Sequence, residues 1–162
     1  MGQYHTVVNL TKGEFISAHG LGLGIKAAEQ LHSSESTQEA LFMLLMCSNG
    51  RGGGDVQAND PYSMVGRWAG DQIAVIGDYT ENDDIKGVDT QGAYSKCVPH
   101  EPSDLEQLGG AADVDLPRPK NGNYLDITPY LRPLMESQFG LKYKKISEGG
   151  YSYFSRKYED EE

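Results

Sequence analysis

β-branched and aromatic residues are concentrated among the hydrophobic positions near the start of the chain, as they are in strands. The residues from Gln3 to Leu10 are rich in β-branched and aromatic types, and those from Glu14 to Ala18 continue the pattern. Thr11-Lys12-Gly13 separates the two segments, with glycine where a three-residue hairpin loop needs a left-handed backbone. The first residues are therefore predicted to form a β-hairpin.

Three further segments with strand patterns lie later in the chain. A run of β-branched residues predicts a strand from Asp71 to Tyr79 that is buried on at least one face. Further on, Tyr143–Ser147 and Tyr151–Arg156 alternate around Glu148-Gly149-Gly150, which has the composition of a tight turn. This pattern predicts a second hairpin.

The segment Ala40–Cys47 is apolar at every position, which predicts a central helix buried on every face. It is far shorter than the roughly 18 apolar residues that a membrane-spanning helix needs. Ser36 and Glu39 precede it at the spacing of a capping box. In this motif the serine hydroxyl accepts from a backbone amide of the first turn, and the glutamate carboxylate accepts from the backbone amide of the serine.

Two further helices are predicted on either side of this one. The first is short and runs from Ile25 to His32. The second begins with Thr128 as N-cap and Pro129 at the first helical position, and it ends at Gly140.

Two hairpins imply antiparallel pairing, so the predicted fold class is α+β. We expect a mainly antiparallel sheet of about five strands with three helices packed on it. A length of 162 residues suits one domain. We place this domain at residues 1–158 and expect the acidic tail, 159–162, to be frayed.

Charge excludes some functions. The chain has 14 Lys and Arg against 24 Asp and Glu, a net charge of −10. Direct nucleic-acid binding depends on clustered basic residues and is not expected, and neither is binding to a membrane. The acidic surface has two open interpretations, which are simple solvation and mimicry of nucleic acid on the basic groove of another protein.

Cysteine usage indicates a reducing compartment. Cys47 and Cys97 lie fifty residues apart, and neither has a second cysteine at metal-ligand spacing. No basic segment followed by an apolar stretch opens the chain, so we expect a cytoplasmic protein with two free thiols. No metal or cofactor is expected.

The most unusual local feature is the glycine loop, which we define as Gly50-Arg51-Gly52-Gly53-Gly54-Asp55. Consecutive glycines expose backbone amides that can surround a phosphate, and Arg51 would add a charge-assisted bond. The segment lacks the Gly-Lys-Ser/Thr ending of a P-loop. A helix cap followed by a surface turn is the alternative.

A second glycine series, Gly20-Leu21-Gly22-Leu23-Gly24, precedes the predicted helix at Ile25. Amides at a helix N-terminus favour anions, so this segment is a second candidate for phosphate binding. Its spacing differs from that of a dinucleotide-binding turn, and close packing of the backbone on the sheet is the alternative.

Arg67, Trp68 and Asp71 form a third candidate. A tryptophan face can stack on a base, and a nearby carboxylate can accept from a base or ribose. The alternative is a tryptophan at the edge of the core beside a surface pair of Arg67 and Asp71.

The pair His19-Gly20 is similar to the His-Gly of ADP-ribosyltransferases, in which the histidine holds a nicotinamide ribose. That resemblance would require an aromatic residue and a catalytic glutamate, for which Tyr151 and Glu148 are the candidates. A capped strand end is the alternative.

Three segments together resemble a family of small uncharacterised proteins of bacteria and their phages. They are Met1–Ile16 with its MGQY start, Asn49–Asp55 (NGRGGGD) and Gly66–Tyr79, which contains WAGD. The resemblance implies a bacterial or phage origin. Small acidic phage proteins are often interaction proteins that disarm host defences.

These observations predict a non-enzymatic binding protein that sequesters a nucleotide-like ligand. The sequence leaves open whether the protein is a monomer or a homo-oligomer. The predicted ligand-binding residues are His19, Arg51, Gly52, Gly53, Gly54, Asp55, Arg67, Trp68 and Asp71. One alternative is an acidic inhibitor that docks on a host protein. A second alternative is a nucleotide-acting enzyme such as an ADP-ribosyltransferase.

Overall fold

The N-terminal hairpin forms the centre of a four-stranded sheet. The structure, a computed structural model, describes residues 3–47, 56, 58–88, 90, 92–102, 116–119, 121–148 and 151–158. Within these residues it contains three α-helices and six strands, which form the four-stranded sheet and a separate two-stranded one. The predicted α+β class with mainly antiparallel pairing is therefore confirmed, but the strands do not form a single sheet.

The central sheet has the strand order β3-β1-β2-β4. β1 (His5–Asn9) pairs antiparallel with β2 (Glu14–Ile16), and Gly13 has the left-handed φ of 67° that the predicted turn requires. β3 (Ile73–Gly77) lies antiparallel on the other side of β1. β4 (Leu125–Asp126) lies parallel to β2, a pairing that the hairpin pattern did not predict.

Both faces of the sheet carry clusters of buried side chains. Successive residues of a strand point to opposite faces, so Val7 and Val8 enter different clusters of buried side chains. Val7 belongs to the larger cluster, which contains most of the buried helix residues and Trp68. Val8 packs with Phe15 and Ile76 in the smaller cluster on the other face.

α1 (Ala27–Leu31) and α2 (Thr37–Leu45) follow the hairpin. The predicted capping box of α2 is confirmed, because the Ser36 amide donates to Glu39 Oε2 at 2.6 Å and Ser36 Oγ accepts from the Gln38 amide at 3.3 Å.

Burial of α2 on every face was a wrong prediction. Ala40, Met43 and Leu44 are buried at the spacing of one helix face, whereas Phe42 is 69% exposed and Leu45 is 40% exposed. A helix that packs on a sheet hides one stripe, whatever the composition of its other side. No helix among the described residues is long and apolar enough to cross a membrane.

α3 (Thr128–Phe139) ends as predicted at Gly140, which has a φ of 65°. Its start differs from the prediction. Ile127 is the N-cap, and the Thr128 hydroxyl accepts from the Ser17 amide at 2.7 Å instead of capping the helix. Asp126 Oδ1 accepts the Thr128 amide at 2.9 Å and so takes the capping role.

β5 (Leu141–Glu148) and β6 (Tyr151–Tyr158) form the second predicted hairpin. Its strands are longer than predicted, and among the described residues they pair only with each other. The hairpin contacts α3 and the 3-10 turn His19–Leu21, so it folds against the end of the domain instead of joining the main sheet. Gly149 and Gly150, the glycine loop and the acidic tail lie outside the described residues.

Candidate functional site

A cleft of about 310 Å³ lies where the parallel strands β2 and β4 end. The chain leaves β2 through Ser17 and His19, and it leaves β4 at Asp126. Because the two strands are parallel, these side chains lie at the same end of the sheet. α3 and the second hairpin close the other sides with Arg132 and Lys145. We call this site the His19 cleft.

Close packing shapes the turn that presents His19. The Gly20 amide donates to Ser17 Oγ at 3.2 Å, and a Cβ on Gly20 would lie only 2.7 Å from Thr128 Cγ2. Gly22 has a φ of 73°, and a Cβ there would lie 2.5 Å from the Arg156 side chain. These glycines thus have the packing role that was the alternative to phosphate binding, and the His19 side chain remains exposed.

Arg132 ties three walls of the cleft together. Its Nε donates to the Gly20 carbonyl at 2.9 Å, and its two terminal nitrogens bond to the Glu101 carboxylate. The guanidinium also lies 3.6 Å from the centre of the Phe154 ring. Since Glu101 neutralises this charge, Arg132 positions the walls and is a poor candidate for binding a ligand directly.

His100 and Asp126 are joined by two reciprocal hydrogen bonds. The backbone amide of His100 donates to Asp126 Oδ2, and the backbone amide of Asp126 donates to His100 Nε2, both at 3.3 Å. His100 Nδ1 lies 3.0 Å from the Val98 carbonyl. The tautomer with its proton on Nδ1 satisfies both ring nitrogens.

Asp126 is the buried acid of the cleft. Burial raises the pKa of its carboxyl to about 6, even though hydrogen bonds from Thr128 and the nearby His100 favour the charged form. The carboxyl therefore keeps its proton to a higher pH than an exposed aspartate does. Perturbed acids in clefts are typical of functional sites, although structural networks also produce them.

Two cationic or donor groups of the cleft remain accessible. His19 and Lys145 are both exposed, and Lys145 forms no ion pair with any residue that the structure describes. Lys145 is opposite Phe154 in the hairpin register, so its side chain projects from the same face as the ring that packs on Arg132. A small anion fits these groups better than a cation does.

Trp68 and its neighbours lie away from this cleft. Trp68 is fully buried, and its indole nitrogen donates to Glu14 Oε1 at 2.8 Å. A buried ring has no free face for a base, so we do not include Trp68 in the site. Arg67 also bonds to Glu14, while Asp71 accepts from Lys12 and from Asn9 Nδ2. Arg67 and Asp71 therefore form no direct ion pair, although hydrogen bonds from Lys12 and Asn9 and the charges of Lys12 and Arg67 lower the pKa of the Asp71 carboxyl.

Of the predicted ligand-binding residues that the structure describes, only His19 lines the cleft. Arg51, Gly52, Gly53, Gly54 and Asp55 lie outside the described residues, as do the side chains of Tyr151 and Glu148. Their proposed roles remain predictions.

Sequence reasoning missed most of the residues that build the cleft. Asp126 directly precedes a well-marked helix start, and this was the one local signal for it. His100 lies in a segment without periodicity, and Arg132 and Lys145 resemble ordinary surface cations on a helix and a strand.

The described residues contain no group of three or more His, Cys, Asp or Glu side chains that could hold a metal ion. Comparisons of the chain with models of known protein families, with curated proteins and with solved structures found no match.

Proposed function

We propose that the protein binds a small phosphate-bearing molecule of the nucleotide type in the His19 cleft. The observation that carries this proposal is that two accessible groups, His19 after β2 and Lys145 on the second hairpin, line the same cleft. In a chain of net charge −10, an anion requires such a local excess of donors.

The internal charges of the cleft support the same ligand class. Glu101 neutralises Arg132, which leaves Lys145 as the exposed cation and Asp126 as the buried acid. Phosphate oxygens would accept from Lys145 Nζ and from the His19 ring. A ligand hydroxyl or amino group would face the Asp126 carboxyl.

An anion bound elsewhere in the cleft also changes the protonation of Asp126. Like charges disfavour each other, so a bound phosphate favours the neutral carboxylic acid and binding takes up a proton. His19, His100, Glu101, Arg132 and Lys145 line the same cleft as this carboxyl, and the Cys97 thiol also lies within reach of its charge. We therefore expect affinity to increase as the pH falls from 8 to 6.

Native mass spectrometry of protein purified from cells, before and after denaturation, is the first experiment. Release of a phosphate-containing small molecule on denaturation is the expected result, and the same spectra give the oligomeric state.

Calorimetric titration with AMP, ATP and inorganic phosphate then tests the cleft itself. Lys145→Ala removes a charge-assisted bond worth about 1.5–3 kcal/mol, so affinity should fall at least about tenfold. Lys144→Ala is the matched control, because it removes the same charge from the opposite face of the strand. Equal affinity in the two variants, or no binding of any of the three probes together with a ligand-free spectrum, overturns the proposal.

A further inference from the structure

β3 is an edge strand of the main sheet, and two of its residues have open backbone groups. The Leu10 amide donates to the Gln72 carbonyl, and the Asp78 amide donates to the Tyr4 carbonyl. Hydrogen bonding alternates along an antiparallel pair, so the backbone groups of Ile73 and Val75 point away from β1. They form no hydrogen bond with any residue that the structure describes.

The open edge stops at Gly77. Its amide donates to Thr80 Oγ1 at 2.7 Å, and its carbonyl accepts from the Thr80 amide at 3.1 Å. The turn after β3 therefore caps the end of the strand, and the available edge is a defined pair of residues.

An apolar groove of about 540 Å³ opens beside this edge. Val75 and Val7 are cross-strand partners on its floor, and Leu31 of α1 and Leu41 of α2 form its upper wall. Val75 is 58% exposed and Leu31 is 62% exposed. We call this surface the β3 groove.

Most polar side chains of the β3 groove form hydrogen bonds within the protein. The Gln30 side chain donates to the His5 and Ile25 carbonyls, both at 3.0 Å, and accepts from the Thr37 hydroxyl. His5 Nδ1 is buried and has no hydrogen-bond partner among the described residues. The groove thus offers mainly apolar surface to a partner.

We infer that the β3 groove binds an extended segment of a partner protein, which adds to β3 as a further strand and places alternate apolar side chains against Val75. Strand addition supplies main-chain hydrogen bonds to an open edge, and the pockets beside it select side chains. This function is separate from ligand binding, because the His19 cleft lies at the β2–β4 side of the sheet.

Charge identifies the kind of partner. The chain that continues from β3 carries Asp78, Glu81, Asp83 and Asp84, all exposed, and residues 78–84 contain no basic side chain. A partner strand flanked by Lys or Arg complements this acidic segment. A second copy of the chain would instead bring the same acidic segment and another net charge of −10, which opposes self-pairing.

Val75→Pro tests the inference directly. The Val75 amide points outward, so proline removes a donor from the open edge and leaves the hydrogen bonds between β1 and β3 intact. Circular dichroism and thermal unfolding check that the variant folds.

The probe is selected from a random library of seven-residue peptides displayed against the wild-type protein. Apolar residues at alternate positions, with basic residues at the end of the peptide that meets the acidic segment after β3, are the expected pattern. The selected peptide should bind Val75→Pro at least about tenfold more weakly, since one or more main-chain hydrogen bonds are lost.

A second measurement does not depend on the folding of a variant. The same peptide, N-methylated at its alternate backbone amides, keeps every side chain but cannot donate to β3. It should bind the wild-type protein at least about tenfold more weakly, and the unmodified peptide should protect the Ile73 and Val75 amides from hydrogen exchange.

Three results would overturn the inference. They are a selection without binders, a peptide that binds equally well after N-methylation, and a wild-type dimer that Val75→Pro converts to monomer. The last result would assign the β3 groove to a second copy of the chain.

Discussion

The buried carboxylate of Glu14 accepts two hydrogen bonds from the guanidinium of Arg67, at 3.0 Å and 2.6 Å. Trp68 adds a third from its indole nitrogen, and Arg118 approaches the same carboxylate at 3.5 Å. Glu14 is fully buried, so this network holds the start of β2 against the segment before β3.

Arg67→Met should lower the free energy of unfolding by about 3 kcal/mol, because it leaves the Glu14 charge buried and short of partners. Urea denaturation measures the loss. The second substitution, Glu14→Leu, removes the buried charge that Arg67→Met leaves without its main partner. The double variant should therefore be more stable than the sum of the two single losses predicts. A loss below about 1 kcal/mol in Arg67→Met would show that Arg118 and Trp68 are sufficient to stabilise the buried Glu14 carboxylate.

Asp126 should make folding stability depend on pH. Its pKa is raised to about 6 in the folded state, so the protein gains stability from this group at low pH and loses that gain as the pH rises through 6. Relative to Asp126→Asn, which does not titrate, the wild type should lose about 2 kcal/mol between pH 4 and pH 7.5.

Urea unfolding of both proteins across this pH range measures the difference. In Asp126→Asn, the new side-chain amide near the His100 amide lowers the free energy of unfolding by an amount that does not depend on pH. This amount therefore does not affect the slope of stability against pH. Parallel curves for the two proteins would show that Asp126 titrates normally.

Leu44→Ala and Phe42→Ala should separate the two sides of α2. Leu44 is fully buried, and its truncation should cost about 3 kcal/mol. Phe42 is mostly exposed, and its truncation should cost less than about 0.5 kcal/mol. Thermal unfolding of both variants tests this, and similar losses would mean that Phe42 is covered in solution.

The two thiols should differ in reactivity. Burial raises the pKa of Cys97 to about 12, and its Sγ donates to the Ala93 carbonyl, whereas Cys47 is exposed. Iodoacetamide at pH 8 should therefore alkylate Cys47 first. Peptide mapping by mass spectrometry identifies the site, and both cysteines should react at similar rates in urea.

Predictions from the sequence were correct for features that depend on residues close together along the chain. Gly13 ends a turn between adjacent strands, Ser36 and Glu39 cap the helix that they precede, and Gly140 stops α3. Each interaction spans only a few residues, so local residue types are sufficient to specify it.

Predictions that needed distant partners failed or were never made. Glu14 and Arg67 lie 53 residues apart, and Arg132 lies 112 residues from the Gly20 carbonyl that it binds. Thr128 has the composition of an N-cap, yet its hydroxyl is used by Ser17 from another element. Competition of this kind is decided by packing and cannot be inferred from spacing along one segment.

The sequence by itself determined the α+β class, both hairpins, the start of α2, the end of α3 and the acidic charge, because hydrophobic period, capping residues and turn residues act locally. Only the tertiary structure decided that β4 joins β2 in parallel and that His19, Asp126 and Lys145 share one cleft. It also buried Trp68 and left the edge of β3 open. These features arise from contacts between segments far apart in the chain, whose closeness follows from burial of a common core.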